Sequence, residues 1–423
     1  MRVSIKTYGC TLNQADSDIM GSVIRGAGNS IVGPADSDVV LVNTCTVKNA
    51  TSQKILYHLG NLERQGKRVV VSGCMAGANR DLIERYAPSA SIVTNRNIAR
   101  VNEAVEAAMA GKRLVLDAAS GDDRLALLSP MGGTVARIPV SDGCVSSCGF
   151  CETRFARGPL HSFSEETILR AIEQSVRAGA REIQLTSQDM GAYGLDRKTD
   201  IAELMEKITL IDGDFRVRVG MLNPEHLHRY VDRLVDAMQD RRFYKFLHLP
   251  VQSGNDRVLR EMGRRHTMAQ FESIIAEIRA KVPGITIETD MIVGYPTETE
   301  ADFRESLEML KRVRPEVTNV SRFGARPHAS ASRLAQHNHD VINGRSTVMA
   351  RVVRSIQHEI NDPYVGRTMG VLITVRTPRS LNGRTGSYKQ VVIPASGHMG
   401  IGDTADVRID SASANVLYGS VAQ

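Results

Sequence analysis

Three cysteines stand close together in GCVSSCGFC, residues 143–151. Cys144, Cys148 and Cys151 have the spacing C-x3-C-x2-C. Three thiolates on one short loop form a ligand set for a soft metal. A closed zinc site or a ferredoxin-type cluster takes four protein ligands, so one position is left over. An open metal position lets a substrate or cosubstrate bind the metal directly. Two metals suit the loop at this point. Three thiolates can hold three irons of a four-iron cluster. Zinc could instead be completed by a distant histidine, although the nearest, His161, forms no tight motif with the loop.

The other three cysteines, Cys10, Cys45 and Cys74, are far apart in sequence. Each closes the same kind of segment: VSIKTYGC (residues 3–10), VVLVNTC (39–45) and RVVVSGC (68–74). These are apolar, β-branched runs that read as strands. Helical periodicity lies between them, as at residues 49–65 with Ile55, Leu59 and Leu62 on one face. Strand–helix alternation predicts an open parallel α/β sheet. The carboxyl ends of such strands gather at one edge, where ligands bind, so the three thiols are expected to converge. A lone cysteine at a strand end would be an ordinary core or capping residue; three at equivalent positions make a shared site. Three disulfides are not expected, because nothing suggests secretion and a chain of 423 residues needs no staples.

The stretch AASGDDRLALLSPMGG, residues 118–133, reads as a linker. Beyond it, strands are predicted at residues 135–141, 182–188, 215–221, 245–251, 285–293 and 316–323, with helices between them. Ser164 is a candidate N-cap before Glu165 and Glu166. Phe271, Ile274, Ile275 and Ile278 make one helical face, and Phe303, Leu307 and Leu310 another. Six consecutive βα units imply a partial barrel, two short of the eight-stranded form. The three-cysteine loop follows the first of these strands, on the face where such barrels hold their active sites. Residues 340–360 read as a helix, with Arg345, Arg351 and Arg354 on the wet side. The tail from residue 366 carries strand-like runs and glycine turns but little helix signal, which predicts a small all-β barrel. It holds Arg367, Arg376, Arg379, Arg384, Lys389 and Arg408 against Asp403, Asp406 and Asp410. A solvated surface or a nucleic-acid contact would explain that excess. His226, His228, His337 and His339 form no ligand set.

The formal net charge is +6. That permits a polyanionic partner without demanding one. Tryptophan is absent and aromatics are few, so no stacking platform for single strands is advertised. No apolar run approaches a membrane span, and the amino terminus reads as a first strand rather than a targeting segment. A soluble cytoplasmic protein is expected.

C-x3-C-x2-C after the first strand of an incomplete barrel resembles the radical S-adenosylmethionine (SAM) superfamily. Cys10, Cys45 and Cys74 ahead of the barrel and a basic β-rich tail behind it are similar to the methylthiotransferases within it. NTCTVKNA (43–50), CETRFARG (151–158), LTSQDMGAYG (185–194), LHLPVQSGND (247–256) and YKQVVIP (388–394) most resemble the archaeal and eukaryotic branch that modifies N6-threonylcarbamoyladenosine in tRNA. The resemblance covers essentially the whole chain. It implies residues 1–117 as a domain for an auxiliary cluster, 134–361 as a radical SAM partial barrel and 366–423 as a TRAM-like RNA-binding barrel.

The resemblance also implies two [4Fe–4S] clusters. Cys144, Cys148 and Cys151 would hold the one whose open iron takes SAM; Cys10, Cys45 and Cys74 would hold the other, where the sulfur to be transferred binds. One SAM methylates that sulfur and a second yields the radical that removes hydrogen from adenine C2. Arg157 follows the cluster loop and would pair with the SAM carboxylate. Gln188, Asp189, Gln252 and Ser253 close barrel strands and would reach SAM or the adenine. Arg326 would face substrate, and Arg376, Arg379, Arg384 and Lys389 would grip RNA. Partners implied are a tRNA anticodon stem-loop, a flavodoxin- or ferredoxin-like electron donor and a sulfur donor, with the protein a monomer. VGYPTETEADF (293–303) departs from the family pattern, with Tyr295 for Phe and Thr297 for Gly, which bears on the turn there. Two readings compete: the same chemistry on isopentenyladenosine tRNA or a ribosomal-protein aspartate, and a non-catalytic iron–sulfur or zinc protein that binds RNA.

Overall fold

The structure is a computed structural model that describes residues 1–47, 49–118, 123–130, 132–395 and 399–422. Parts of the expected linker and the last residue of the tail lie outside the described residues. Among those described, no helix is long and apolar enough to cross a membrane.

The first three predicted strands form at Arg2–Thr7, Val39–Thr44 and Arg68–Gly73. They lie side by side and parallel, within a six-stranded sheet. Register aligns their ends: Thr7 is opposite Asn43, and Asn43 is opposite Ser72. Val39–Thr44 is buried along its whole length, as a central parallel strand should be. Helix Asn49–Arg64 covers one face through buried Ile55, Leu59 and Leu62. Helix Thr11–Gly26 covers the other with Ile19, Met20 and Ile24, and also packs on the barrel strand Val135–Pro139.

The barrel has the six predicted strands: Val135–Pro139, Glu182–Thr186, Arg216–Arg218, Phe246–His248, Thr286–Val293 and Val317–Arg322. All pairings are parallel, in two three-stranded sheets. The bridges Val217–Phe243 and Met221–His248 join the two. The two outermost strands do not pair, so the barrel stays open. Ser164 caps its helix by accepting from the Thr167 amide at 3.1 Å. The helical faces Phe271–Ile278 and Phe303–Leu310 enter the main core. At the Tyr295–Thr297 turn the left-handed backbone falls on Gly294, with φ +78°, and Thr297 keeps a negative φ. Thr297 therefore fits without strain.

Two expectations change. Arg345 is not on the wet side of helix His339–Asn361. It is buried and donates to the Glu298 carbonyl (2.9 Å) and carboxylate (2.8 Å), while Arg351 and Arg354 are exposed. The linker is not a slack tether either. Its turn Arg124–Leu127 buries Arg124 against Asp16 (2.7 Å) and Asp142 (3.3 Å).

The tail forms a closed five-stranded barrel from Thr368–Arg376, Ser380–Thr385, Gln390–Pro394, Thr404–Ala412 and Leu417–Val421. Closure leaves no strand edge free. Its turn at 386–388 reaches the central barrel. The Lys245 amide donates to the Gly386 carbonyl, and Tyr388 packs on Tyr244 and Phe246 with its hydroxyl 3.2 Å from Glu182.

Candidate active site

The N-terminal trio is brought together by the ends of three adjacent strands. Gly9 and Gly73 make this possible. Both have positive φ, and a side chain on either would collide with the neighbouring loop: a Cβ at Gly9 would fall 2.9 Å from Cys45 Sγ, and one at Gly73 2.3 Å from the Thr44 carbonyl. Cys10 caps helix Thr11–Gly26, Cys45 follows its strand directly, and Cys74 opens helix Cys74–Ala78. None of the six cysteines is joined in a disulfide.

The second trio lies on the loop after the first barrel strand. The Cys144 amide donates to the Gly158 carbonyl, that of Cys151 to Cys148, and that of Gly149 to Met262. A Cβ at Gly143 would meet the Pro159 carbonyl, so that position requires glycine. Helices Cys74–Ala78 and Thr153–Arg157 then dock closely: at Gly77 a Cβ would lie 2.4 Å from the Ala156 carbonyl. The two cysteine-bearing segments are thus neighbours in space.

Burial pushes the Cys74 thiol up to about 12; Arg157 opposes this, and the nearby Cys10 and Cys45 add to it. Burial raises Cys144 to about 12 as well, with Asp189 adding to the shift. Cys45 and Cys148 are raised for the same first reason. Binding of a metal must therefore displace protons. Backbone amides already point at several sulfurs: Ser146 at Cys144 (3.4 Å), Thr153 at Cys151 (3.4 Å) and Val47 at Cys45 (3.5 Å). Such donors stabilise the thiolate form. Among the described residues no three His, Cys, Asp or Glu side chains converge at the spacing of a single bound ion. A four-iron cube asks for a wider set, one thiolate per iron.

Ser187 Oγ, Gln188 Oε1 and Asp189 Oδ2 are buried without a hydrogen-bond partner. Buried polar atoms left bare are costly and point to a missing ligand. They sit where Glu182–Thr186 ends, on the cluster-loop side. Asp189 is held by the amides of Gly191 (2.9 Å) and Asn223 (3.0 Å) through its other oxygen. Burial raises its pKa against the pull of His226, 3.5 Å away. Gln252 lies four residues beyond strand Phe246–His248 with φ +76°, a conformation that non-glycine residues seldom adopt, and its amide donates to the Asp290 carbonyl. Ser253 Oγ accepts from the Asn255 amide in the following turn.

Two arginines differ from expectation. Arg157 is fully committed within the protein. Nε points at Cys74 Sγ (3.4 Å), Nη1 at Asp142 (3.0 Å), and Nη2 at Asn13 (2.6 Å) and Asp16 (2.7 Å). It ties the two cysteine segments together instead of waiting for a carboxylate. Arg326 is likewise buried and donates to Asn49 and to the Val47 carbonyl, so it latches the loop after Cys45. In the tail, Arg376 and Arg379 are exposed, Arg384 is half-buried, and Lys389 is buried with Nζ 2.8 Å from Asn361.

Sequence reasoning missed Asn13, Asp16, Asp142 and Arg218. Asn13 and Asp16 lie on the buried face of helix Thr11–Gly26 with Leu12, Ala15, Ile19 and Met20, and that placement was the available signal.

A cavity of about 620 Å³ runs through the barrel lumen. Its lining includes Thr11, the residue after Cys10, together with Gln184, Arg218 and Asn319 of the barrel and Tyr388 and Lys389 of the tail.

The chain matches the radical SAM superfamily over residues 138–310, the uncharacterized protein family UPF0004 over 2–95 and the TRAM domain over 363–422. It is 38% identical over 428 residues to a probable threonylcarbamoyladenosine tRNA methylthiotransferase of Pyrococcus horikoshii, covering 100% of this chain and 99% of that one. It is 33% identical over 436 residues to the threonylcarbamoyladenosine tRNA methylthiotransferase of Drosophila melanogaster, covering 99% and 77%. Among solved structures it is similar in fold to the radical SAM methyltransferase TsrM of Kitasatospora setae, at a TM-score of 0.58 and 13% identity over 78% of this chain and 77% of that one.

Proposed function

Because the chain belongs to the threonylcarbamoyladenosine tRNA methylthiotransferases, we propose that its two cysteine trios serve one reaction. The protein is a radical SAM transferase that acts on tRNA. It places a methylthio group on C2 of the adenine in N6-threonylcarbamoyladenosine. An iron–sulfur cluster and SAM belong to that activity. Cys144, Cys148 and Cys151 would hold this cluster, and Cys10, Cys45 and Cys74 would hold a second [4Fe–4S] cluster for the sulfur to be transferred. When bound, cluster and SAM together supply the radical chemistry that opens an unactivated C–H bond.

The residues around the clusters have separate tasks. Gln188 offers a bare oxygen to the polar groups of SAM, beside Asp189, whose Oδ2 lies 3.5 Å from His226 Nε2. Arg157 fixes the distance between the two cysteine segments, and the close contact of Gly77 with Ala156 keeps water out of the seam. The lumen receives the adenine, flipped out of the anticodon loop as base-modifying enzymes require. Arg376 and Arg379 meet the RNA backbone. A flavodoxin- or ferredoxin-like reductant and a sulfur donor complete the cycle, and the protein works as a monomer in the cytoplasm.

The observation that carries this reading is Arg157, which touches Cys74 of one trio and Asp142 at the root of the other. Nothing in the molecule favours the isopentenyl, ribosomal-protein or non-catalytic readings. Nucleoside mass spectrometry of tRNA from a strain lacking the gene is expected to show loss of the methylthio form and accumulation of its precursor. An unchanged tRNA profile would refute the assignment.

A further inference from the structure

The lumen is polar where an unmodified adenine would need little. Amide side chains of Gln184, Asn319 and Asn361 line it together with Arg218, Arg384 and Lys389. Arg218 projects from a barrel strand, in register beside Gln184. Its guanidinium lies 5.2 Å from the Phe246 ring centre and 5.9 Å from that of Tyr388. The Arg384 guanidinium lies 4.5 Å from the same Tyr388 ring centre and donates to the Tyr388 carbonyl at 3.3 Å. Among the described residues neither arginine pairs with a carboxylate.

Two acids line the cavity, Glu288 and Glu316, and among the described residues no acid is within ion-pair distance of Arg218 or Arg384. Glu316 is bound by Arg279 (3.0 Å), Glu288 accepts from Asn319 (2.7 Å), and Glu182 accepts from Tyr244, Tyr388 and Gln184. Lys389 is held by Asn361 and lies 5.2 Å from the Tyr364 ring centre. Two half-buried guanidinium groups with rings behind them and open space in front are an oxyanion site in waiting, since an unpaired cation in a low-dielectric cavity gains most from an anion.

We propose that this end of the lumen receives an oxyanion of the RNA substrate, and that the oxyanion is the threonine carboxylate carried on adenine N6. The inference rests on the substrate reading given above and names the groups that would recognise it. Arg218 and Arg384 clamp the carboxylate, and the amide oxygens of Gln184 and Asn319, whose N–H groups are bound to Glu182 and Glu288, accept from the urea N–H and hydroxyl. Thr11, the residue after Cys10, and residues of the tail line the same cavity, so the adenine lies on the Thr11 side while its substituent extends toward the tail. The same lining is unsuited to a prenyl group, which would leave both guanidinium groups unpaired. A backbone phosphate is the other source of an oxyanion, and binding measurements separate the two.

The test uses reconstituted full-length protein and two anticodon stem-loops, one with threonylcarbamoyladenosine and one with plain adenosine. Arg218→Gln and Arg384→Gln are compared with wild type, with iron content and unfolding temperature as checks on integrity. Arg218→Lys serves as a milder variant that keeps the charge. Each Gln variant is expected to weaken binding of the modified RNA by about 10- to 100-fold and to leave the plain RNA within about twofold. Arg218→Lys should fall between. Equal weakening of both RNAs would assign the site to phosphate and overturn the carboxylate. Unchanged binding of both would overturn the site altogether. If wild type modifies the threonylcarbamoyl RNA and the variants keep full preference, this inference alone fails. If wild type leaves that RNA unmodified, the substrate reading falls and takes the inference with it.

Discussion

Arg157 concentrates the site's dependence on single side chains. Its guanidinium is buried between Asp16, Asp142 and Asn13, with Cys74 Sγ on its fourth side. Removing it leaves two buried carboxylates to share Arg124 alone, which meets Asp16 at 2.7 Å and Asp142 at 3.3 Å. Arg157→Gln is therefore expected to cost about 3–5 kcal/mol, read from the urea midpoint, and Arg157→Lys less. A change below the error of the extrapolation would mean that water already solvates the network. A second residue-scale case is Asp290, which His248 approaches at 2.9 Å and Asn319 also contacts. Burial alone would raise the Asp290 pKa, but His248, Asn319 and the charge of Arg264 together outweigh it and the net shift is downward. A carboxyl held below its unfolded value contributes stability above about pH 4 and loses it as pH falls through the folded value. Asp290→Asn should thus cost about 1.5–3 kcal/mol at pH 7. Its unfolding curve should approach that of wild type as pH drops below about 4. A gap that stays constant with pH would show that packing, not charge, is what the substitution removes.

The strand ends carry the cysteines, and small residues let them do so. Gly73 has φ +91° and no room for a Cβ beside Asn43 and Thr44. Gly73→Ala is expected to cost about 1 kcal/mol or more and to displace Cys74 from its partners. Reconstituted variant should lose about half of its iron while the loop at 144–151 keeps its share. Full iron content would argue against an N-terminal cluster site. These elements were legible because parallel strands announce themselves by β-branched runs and their ends by Cys10, Cys45 and Cys74. The predicted strands 215–221 and 245–251 form only at Arg216–Arg218 and Phe246–His248, since apolar runs overshoot where the chain turns into the active-site loops. Arg345 misled for a different reason. A charged residue on a helix reads as wet, and only the folded molecule brings Glu298, 47 residues away, to meet it.

At the scale of the whole molecule the same limit applies more strongly. Arg157 and Asp16 are 141 residues apart, and Tyr388 and Glu182 are 206 apart, so no local pattern could pair them. What the sequence did carry was the order of three units, each with its own periodicity. Their assembly sets how RNA binding divides. Half of the basic hairpin of the tail faces inward, because Arg384 and Lys389 line the lumen. Arg376 and Arg379 remain outside, and among the described residues Arg376 is tied only to the Met399 carbonyl. Neutralising a phosphate releases counterions, so affinity that depends on such ion pairs falls with salt in proportion to their number. Replacing Arg376 and Arg379 together by Gln should weaken all stem-loops alike, with or without the threonylcarbamoyl group. The slope of log affinity against log salt should fall by about 1 for each phosphate that the variant no longer neutralises. An unchanged slope would place the RNA on another face of the tail, and weakening confined to modified RNA would mean that the outer arginines read the base rather than the backbone.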